Sequence, residues 1–266
     1  MRTPPMQAAM SVVRKVWYAG RDETLDVFGH RLRYVPGTRP VRPSYRDDPD
    51  TVVRNDARQL EYFATHVQRG ETVIDVGANF GQYAVLFGTL VGPGGKVFAF
   101  EPDSEPRALM EQNLALNNLT SIVRVEPMAL FDRSGTHSFY SRPGDSMGSL
   151  ERAGFGTNAG LPDIREHTVH TIPLDDYLVS NGLSDPDWVK IDAEGAEINV
   201  LRGASRAMHG KTRIVCELHP YAWESYGTSF DELVSIVRHA GRHMTWLDDS
   251  REFNGQADYG AVVISW

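Results

Sequence analysis

The segment VIDVGANFGQYAVLFG, Val73 to Gly88, passes from strand-forming residues into a helical pattern across a turn only a few residues long. Val73, Ile74 and Val76 make a short, near-continuous apolar run, the mark of a strand buried on both faces. Tyr83, Phe87 and Leu90 fall on one face of the helix that follows. A chain that leaves a buried strand this directly, with Gly77 and Gly81 in the turn, builds a parallel sheet with helical crossovers. In an open sheet of that kind, ligands bind outside the carboxyl ends of the strands, where this turn lies.

The rest of the chain repeats the unit. KVFAFEP (96–102), SIVRVEP (121–127), DWVKIDAEG (187–195) and TRIVCELHP (212–220) read as further strands, with TWL (245–247) and AVVISW (261–266) closing the sheet. The spacing predicts helices over 56–70, capped by Asp56 and ended by Gly70, after Asp103 or Ser104, over 196–208, and over 229–240. The expectation is one α/β domain over 56–266, a mostly parallel sheet with helices on both faces. An insertion interrupts it at about 133–172, where GTHSFY and HTVHTI pair around a glycine-rich segment. Residues 1–55 form an extension in which LDVFGHRLRYV reads as a hairpin turning at Gly29–His30. The extension and the segment 141–165 are the candidates for a lid over the acceptor.

Charge narrows the partners. The chain of 266 residues carries a net charge of −8. Its one basic cluster (Arg31, Arg33, Arg39, Arg42, Arg46) is interleaved with Asp47, Asp48 and Asp50, so no nucleic-acid partner is expected. No apolar stretch approaches the ~20 residues of a membrane span, and no membrane partner is expected. A single cysteine, Cys216, excludes an internal disulfide and suits a reducing, cytoplasmic compartment. It lies in the apolar run IVCEL and reads as core.

The turn Gly77–Gly81 has the spacing G-x-x-x-G, not the G-x-G-x-x-G that seats a pyrophosphate on a helix N-terminus. That weighs against a nicotinamide-dependent oxidoreductase. Ala78, Asn79 and Phe80 occupy the turn and suit a ligand with a carboxylate, an ammonium and a ribose. Glu101 ends the second strand, where an acidic side chain accepts both ribose hydroxyls.

VIDVGANFG, FAFEPDSEP, NLALNN, LDDYL, KIDAEGAE and ELHP, in that order, resemble the FkbM family of S-adenosylmethionine-dependent methyltransferases. The resemblance implies a class I methyltransferase fold, Rossmann-like, with a seven-stranded sheet whose last strand is antiparallel. It implies that the first turn (Asp75, Gly77, Ala78, Asn79, Gly81) holds the methionine part of the cofactor. Glu101 and Pro102 would then hold the ribose, Met128 and Ala129 would wall the adenine, Asp132 would reach its amine, and Asp192 would close the site. It also implies a small-molecule acceptor, such as a polyketide hydroxyl or a sugar. N-methylation of a peptide or amino sugar, or a cofactor-binding domain without catalysis, are the alternatives.

Methyl transfer from a sulfonium needs position and a group that takes the acceptor's proton. Asp192 and Glu194 end the fourth strand and Glu217 and His219 the fifth, each pair two residues apart. Three arrangements fit. His219 or Asp192 acts as general base; Asp192, Glu217 and His219 hold a divalent metal such as magnesium; or Lys190 pairs with Asp192 or Glu194 and His219 caps the loop at Pro220. Lys190 orients carboxylates in each of them. Trp223 and Tyr226 are candidate walls of the acceptor pocket. His137, His167 and His170 lie on the insertion's strands.

Overall fold

The computed structural model describes residues 24–27, 29–33, 41, 45, 47–48, 50–142, 148–152, 163–248 and 257–266. The first described elements of the extension form an antiparallel hairpin, β1 (Thr24–Val27) and β2 (His30–Arg33). Val27 pairs with His30, and Gly29 at φ 76° makes the turn. Then comes α1 (Thr51–His66). It starts earlier than the sequence pattern predicts, because the Asp50 carboxylate caps it by accepting from the Val52 N–H. Asp56 is therefore not a cap; it lies inside the helix, where its carboxylate accepts from the Tyr83 hydroxyl at 3.4 Å.

The domain follows as β3 (Thr72–Val76), α2 (Gln82–Val91), β4 (Lys96–Phe100), α3 (Ser104–Leu116), β5 (Val123–Glu126), β6 (Ala129–Leu130), β7 (Gly135–Ser141), β8 (Gly148–Ser149), β9 (Arg165–Ile172), α4 (Leu174–Ser180), β10 (Trp188–Ile191), α5 (Glu197–Arg202), α6 (Ser205–His209), β11 (Arg213–Leu218), α7 (Phe230–His239), β12 (His243–Trp246) and β13 (Gly260–Ser265). Seven strands form the main sheet in the order β12-β13-β11-β10-β3-β4-β5. β13 runs antiparallel to both its neighbours, and the pairings from β11 to β5 are parallel. The expected sheet, with its antiparallel last strand, is the observed one.

Both faces are covered, which explains the continuous apolar runs. Ile74, Phe98, Val189 and Ile214 pack into one core, and Val73, Val97, Trp188 and Val215 into the other. The stretch 196–208 forms two helices instead of one. Gly203 interrupts it where the backbone presses on the Phe131 carbonyl, leaving no room for a Cβ. The strands of the insertion join β6, which precedes it, in a four-stranded sheet, β6-β9-β7-β8; β7 and β9 pair as expected, and they run antiparallel. Phe131, Phe139, Leu150 and Val169, in or beside that sheet, pack with Ala196, just before α5, so the insertion leans on the carboxyl ends of the main sheet. Cys216 is fully buried, and burial pushes its thiol pKa up. Among the described residues, no helix is long and apolar enough to cross a membrane.

Candidate active site

A cleft opens at the carboxyl ends of β3, β4 and β10. Its floor is the turn after β3, where the Gly77 and Ala78 amides both donate to the Phe100 carbonyl, at 3.1 and 3.0 Å. Gly77 (φ 72°), Asn79 (φ 51°) and Gly81 (φ 87°) are left-handed. A Cβ on Gly77 would fall on the Asp192 carbonyl oxygen, and one on Gly81 would lie 2.6 Å from the Met110 side chain. Gly77 therefore lets the strand ends of β3 and β10 cross closely, and Gly81 seats the turn against α3.

Glu101 follows β4 and is 6% exposed. One oxygen accepts from the Asn79 amide at 2.9 Å and the other from the Asp103 amide at 2.8 Å. A carboxylate has about four acceptor directions, so two remain after these bonds. Burial raises its pKa to about 7, against the pull of the two amides.

Of the expected cofactor residues, Gly77, Asn79, Glu101, Pro102, Ala129 and Asp192 line the cleft. Four do not. Asp75 is buried within β3 beside Lys190; Ala78 packs in the core; Gly81 faces Met110; and Met128 packs against the opposite core face. Asp132 is turned away too, accepting from Asn199 at 2.7 Å and pairing with Arg202. Phe139, Gly148 and Leu150 of the insertion also wall the cleft. The sequence offered 141–165 as a lid over the acceptor, not as a wall beside Glu101.

The acceptor side is built after β10 and β11. The chain does not stay extended past Ile191, since Glu194 adopts φ 47°. That left-handed turn, followed by Gly195 (φ 106°), still delivers the Asp192 and Glu194 carboxylates to one place. His219 Nε2 lies 3.9 Å from Asp192 Oδ1 and 3.6 Å from Glu194 Oε2. Its Nδ1 is 2.9 Å from Glu197 Oε1. Glu197 is fully buried and also accepts from the Gly195 amide at 2.7 Å and from Trp223 Nε1 at 2.8 Å. The Glu197 carboxylate holds the Nδ1 proton and aims Nε2 at the Asp192 and Glu194 carboxylates. The sequence reading passed over Glu197, although it is the second glutamate of AEGAE.

Burial disfavours the charged imidazole, but Glu194, then Glu197 and Glu217, outweigh it and push the His219 pKa well up. Glu194 is also raised, to about 7, by burial and against the pull of His219. Tyr221 donates to Glu194 Oε2 at 3.0 Å. Beneath them, Lys190 Nζ sits 3.2 Å from Asp192 Oδ2, 3.6 Å from Asp75 Oδ1 and 4.5 Å from the centre of the Tyr83 ring. Burial opposes the ammonium, but Asp192 and Asp75 outweigh it, so Lys190 stays charged and orients both carboxylates.

Glu217 is committed elsewhere. It accepts from Asn55 at 2.9 Å, from Gln59 at 2.7 Å and from the Tyr259 hydroxyl. The expected metal set of Asp192, Glu217 and His219 is therefore not the one assembled. Glu194 takes the place of Glu217, and the donor atoms of Asp192, Glu194 and His219 lie within 4.8 Å of one another. Of the two side chains offered as acceptor walls, Trp223 is buried and stacks on Phe230, and Tyr226 bonds to Ser149; neither lines the cleft. Tyr221, half exposed, stands at the mouth instead. His137, His167 and His170 lie outside the cleft lining.

Residues 75–244 match the family described as the methyltransferase FkbM domain. Over 197 residues the chain is 29% identical to the 31-O-demethyl-FK506 methyltransferase FkbM of Streptomyces tacrolimicus, covering 65% of this chain and 72% of that one. It is 25% identical to the hexuronic acid methyltransferase AglP of Haloferax volcanii, covering 63% and 64%. To the 2-O-methyltransferase NoeI of Sinorhizobium fredii it is 27% identical, covering 54% and 60%. The match thus spans less than two thirds of the second and third relatives. Among solved structures, a putative O-methyltransferase from Klebsiella pneumoniae aligns over 98% of both chains, at 15% identity and a TM-score of 0.47.

Proposed function

We propose that this chain, which belongs to the FkbM family of S-adenosylmethionine-dependent methyltransferases, methylates a hydroxyl oxygen of a small molecule, with Glu194 taking the hydroxyl proton. The observation that carries the reading is the meeting, at the carboxyl ends of the strands, of a cleft lined by Gly77, Asn79 and Glu101 and a carboxylate–histidine cluster at its other end. The relatives named for 31-O-demethyl-FK506, a hexuronic acid and a 2-O position support oxygen as the acceptor atom and a secondary metabolite or sugar as the acceptor.

The residues present fit the cofactor. Glu101 keeps two acceptor directions for a ribose diol, and Pro102, Ala129, Leu130 and Phe139 offer apolar walls to a base. When bound, S-adenosylmethionine supplies a methyl group on a positively charged sulfur. Glu194 and Asp192 hold the hydroxyl at the cleft mouth, and Glu194, tuned by burial to about 7, accepts its proton near neutral pH. The protonated His219, locked by Glu197, stabilises the ionised carboxylate beside it. In this reading His219 is the partner of the base rather than the base, because Glu194, Glu197 and Glu217 keep its proton on.

A bound divalent ion is the second reading, favoured by the convergence of Asp192, Glu194 and His219. Two carboxylates suit magnesium, and the imidazole suits it less. Calorimetric titration with S-adenosylmethionine and S-adenosylhomocysteine, then turnover on hydroxyl- and amine-bearing polyketides and sugars with and without chelator, tests all of this. Micromolar cofactor binding and chelator-insensitive methylation of a hydroxyl are expected. No binding of either nucleoside would overturn the cofactor assignment, loss of turnover with chelator would favour the ion, and methylation of amines alone would favour nitrogen.

Glu101 gives the cofactor a pH signature. The ionised carboxylate accepts from the ribose hydroxyls, and the protonated form loses part of that capacity. Its pKa of about 7 means that affinity for S-adenosylhomocysteine falls as pH drops below 7 and levels off above 8. Glu101→Gln is expected to flatten that dependence and to weaken binding at pH 8 by about 1–3 kcal/mol. Calorimetry at pH 6, 7 and 8 on both proteins checks it; an unchanged slope in the variant would rule Glu101 out.

A further inference from the structure

The insertion touches both the cofactor cleft and the base. Gly148 and Leu150 line the cleft. Between them, Ser149 is 2% exposed and points the other way. Its hydroxyl donates to the Glu194 carbonyl at 3.1 Å and lies 2.8 Å from the Tyr226 hydroxyl. The Glu151 amide donates to the Tyr226 oxygen at 3.2 Å and to Ser149 Oγ at 3.3 Å. The Tyr226 ring also packs beside Gly195, where a Cβ would meet it at 2.8 Å and meet the Ala222 Cβ at 2.5 Å.

These contacts converge on the most strained backbone of the site. Glu194 is one of three non-glycine residues with positive φ among the described residues, and Gly195 follows at φ 106°. Such a conformation persists only where its surroundings over-determine it. The carbonyl of Glu194 has no intrahelical partner, because α5 begins only at Glu197. Ser149 supplies the donor that a regular element would otherwise supply. Gly148 is required beside it, since a Cβ there would meet the Phe139 ring at 2.6 Å. A two-residue strand carrying a serine between two cleft-lining residues is thus wedged against the loop that aims the base.

We propose that Ser149 and Tyr226 form a positioning pair that fixes the left-handed backbone of Glu194 from the insertion, tying the orientation of the base to the wall of the cofactor cleft. The role assigned to Glu194 rests on the methyl-transfer reading; the positioning itself does not. An acceptor-side carboxylate held this way points at the cleft only while β8 is seated, and a ligand pressed against Gly148 and Leu150 keeps it seated.

The test is amide hydrogen exchange over 192–197 in the full chain, without and with S-adenosylhomocysteine, for the native protein, Ser149→Ala, Ser149→Thr and Tyr226→Phe. In Ser149→Ala, exchange at the Gly195 and Ala196 amides is expected to quicken by about tenfold, the loss of a local opening barrier. Exchange in the β3 and β10 strands stays as in the native protein, Thr restores the native rate, and Tyr226→Phe quickens the same amides. Once an acceptor is in hand, Ser149→Ala lowers kcat with little change in the KM for S-adenosylmethionine. Native exchange rates at 192–197 in a folded Ser149→Ala, or in Tyr226→Phe should the alanine variant not fold, would overturn the proposal. Failure of S-adenosylhomocysteine to bind the native protein would instead strike the functional reading and leave the exchange comparison standing.

Discussion

Glu194→Gln lowers kcat by about 10²- to 10⁴-fold, the usual contribution of a positioned base, while the chain folds normally. Glutamine keeps the shape of the side chain and its contact with Tyr221, but it accepts no proton. The native enzyme carries a second signature. Because burial lifts Glu194 to about 7, kcat at saturating cofactor rises as pH increases through 7 and then levels off. The sign follows from the role: the base works ionised, so activity is lost on the acid side. In Glu194→Gln that limb disappears. His219→Asn behaves differently. The imidazolium holds the Glu194 pKa down, so its removal moves the limb to higher pH without abolishing it. Rate profiles of the two variants separate the roles. A limb that survives in Glu194→Gln and vanishes in His219→Asn would make His219 the base. Measuring at saturating cofactor keeps Glu101, which titrates in the same range but acts on affinity, out of the comparison.

The sheet was legible because it is buried on both faces. β3, β4, β10 and β11 read as continuous apolar runs with no competing helical period, and Gly77 and Glu101 stand where such strands end. The acceptor side was legible only in composition. Asp192, Glu194 and His219 were singled out on the premise that the backbone stays extended, yet they converge because it does not: Glu194 turns left-handed. Glu217 shares the spacing and the strand of His219 but is taken by Asn55, Gln59 and Tyr259, two of which belong to a helix far away in sequence. No local pattern reports such a tertiary commitment. Met128 and Asp132 went the same way, drawn off by the core and by Asn199. Glu197 was hidden for the opposite reason. A glutamate in the first turn of a helix reads as an ordinary favourable charge, and only burial shows that it locks a histidine.

Gly77→Ala is expected to destabilise the protein by about 2–4 kcal/mol and to weaken S-adenosylhomocysteine binding at least about tenfold, combining a left-handed backbone with a steric overlap. A glycine in such a turn can serve a ligand that approaches the backbone. Here the added carbon would fall on the carbonyl oxygen of Asp192, which crosses directly behind the turn. The Asp192 amide donates to the Val76 carbonyl at 3.1 Å, so the two strand ends are tied beside the overlap and cannot part without breaking that bond. Moving Asp192 also moves its carboxylate away from Lys190 and the cleft. Gly182→Ala supplies the control. Gly182 has φ 62°, but nothing lies within 4 Å of a Cβ built there, so that variant reports the backbone cost alone, about 1 kcal/mol. Urea denaturation of both variants, with calorimetry on each, isolates the close approach as the difference. If Gly77→Ala lost no more stability than Gly182→Ala yet bound no cofactor, the glycine would be there for the ligand after all; if it lost neither stability nor affinity, the crossing of β3 and β10 at Asp192 would be looser than the structure has it.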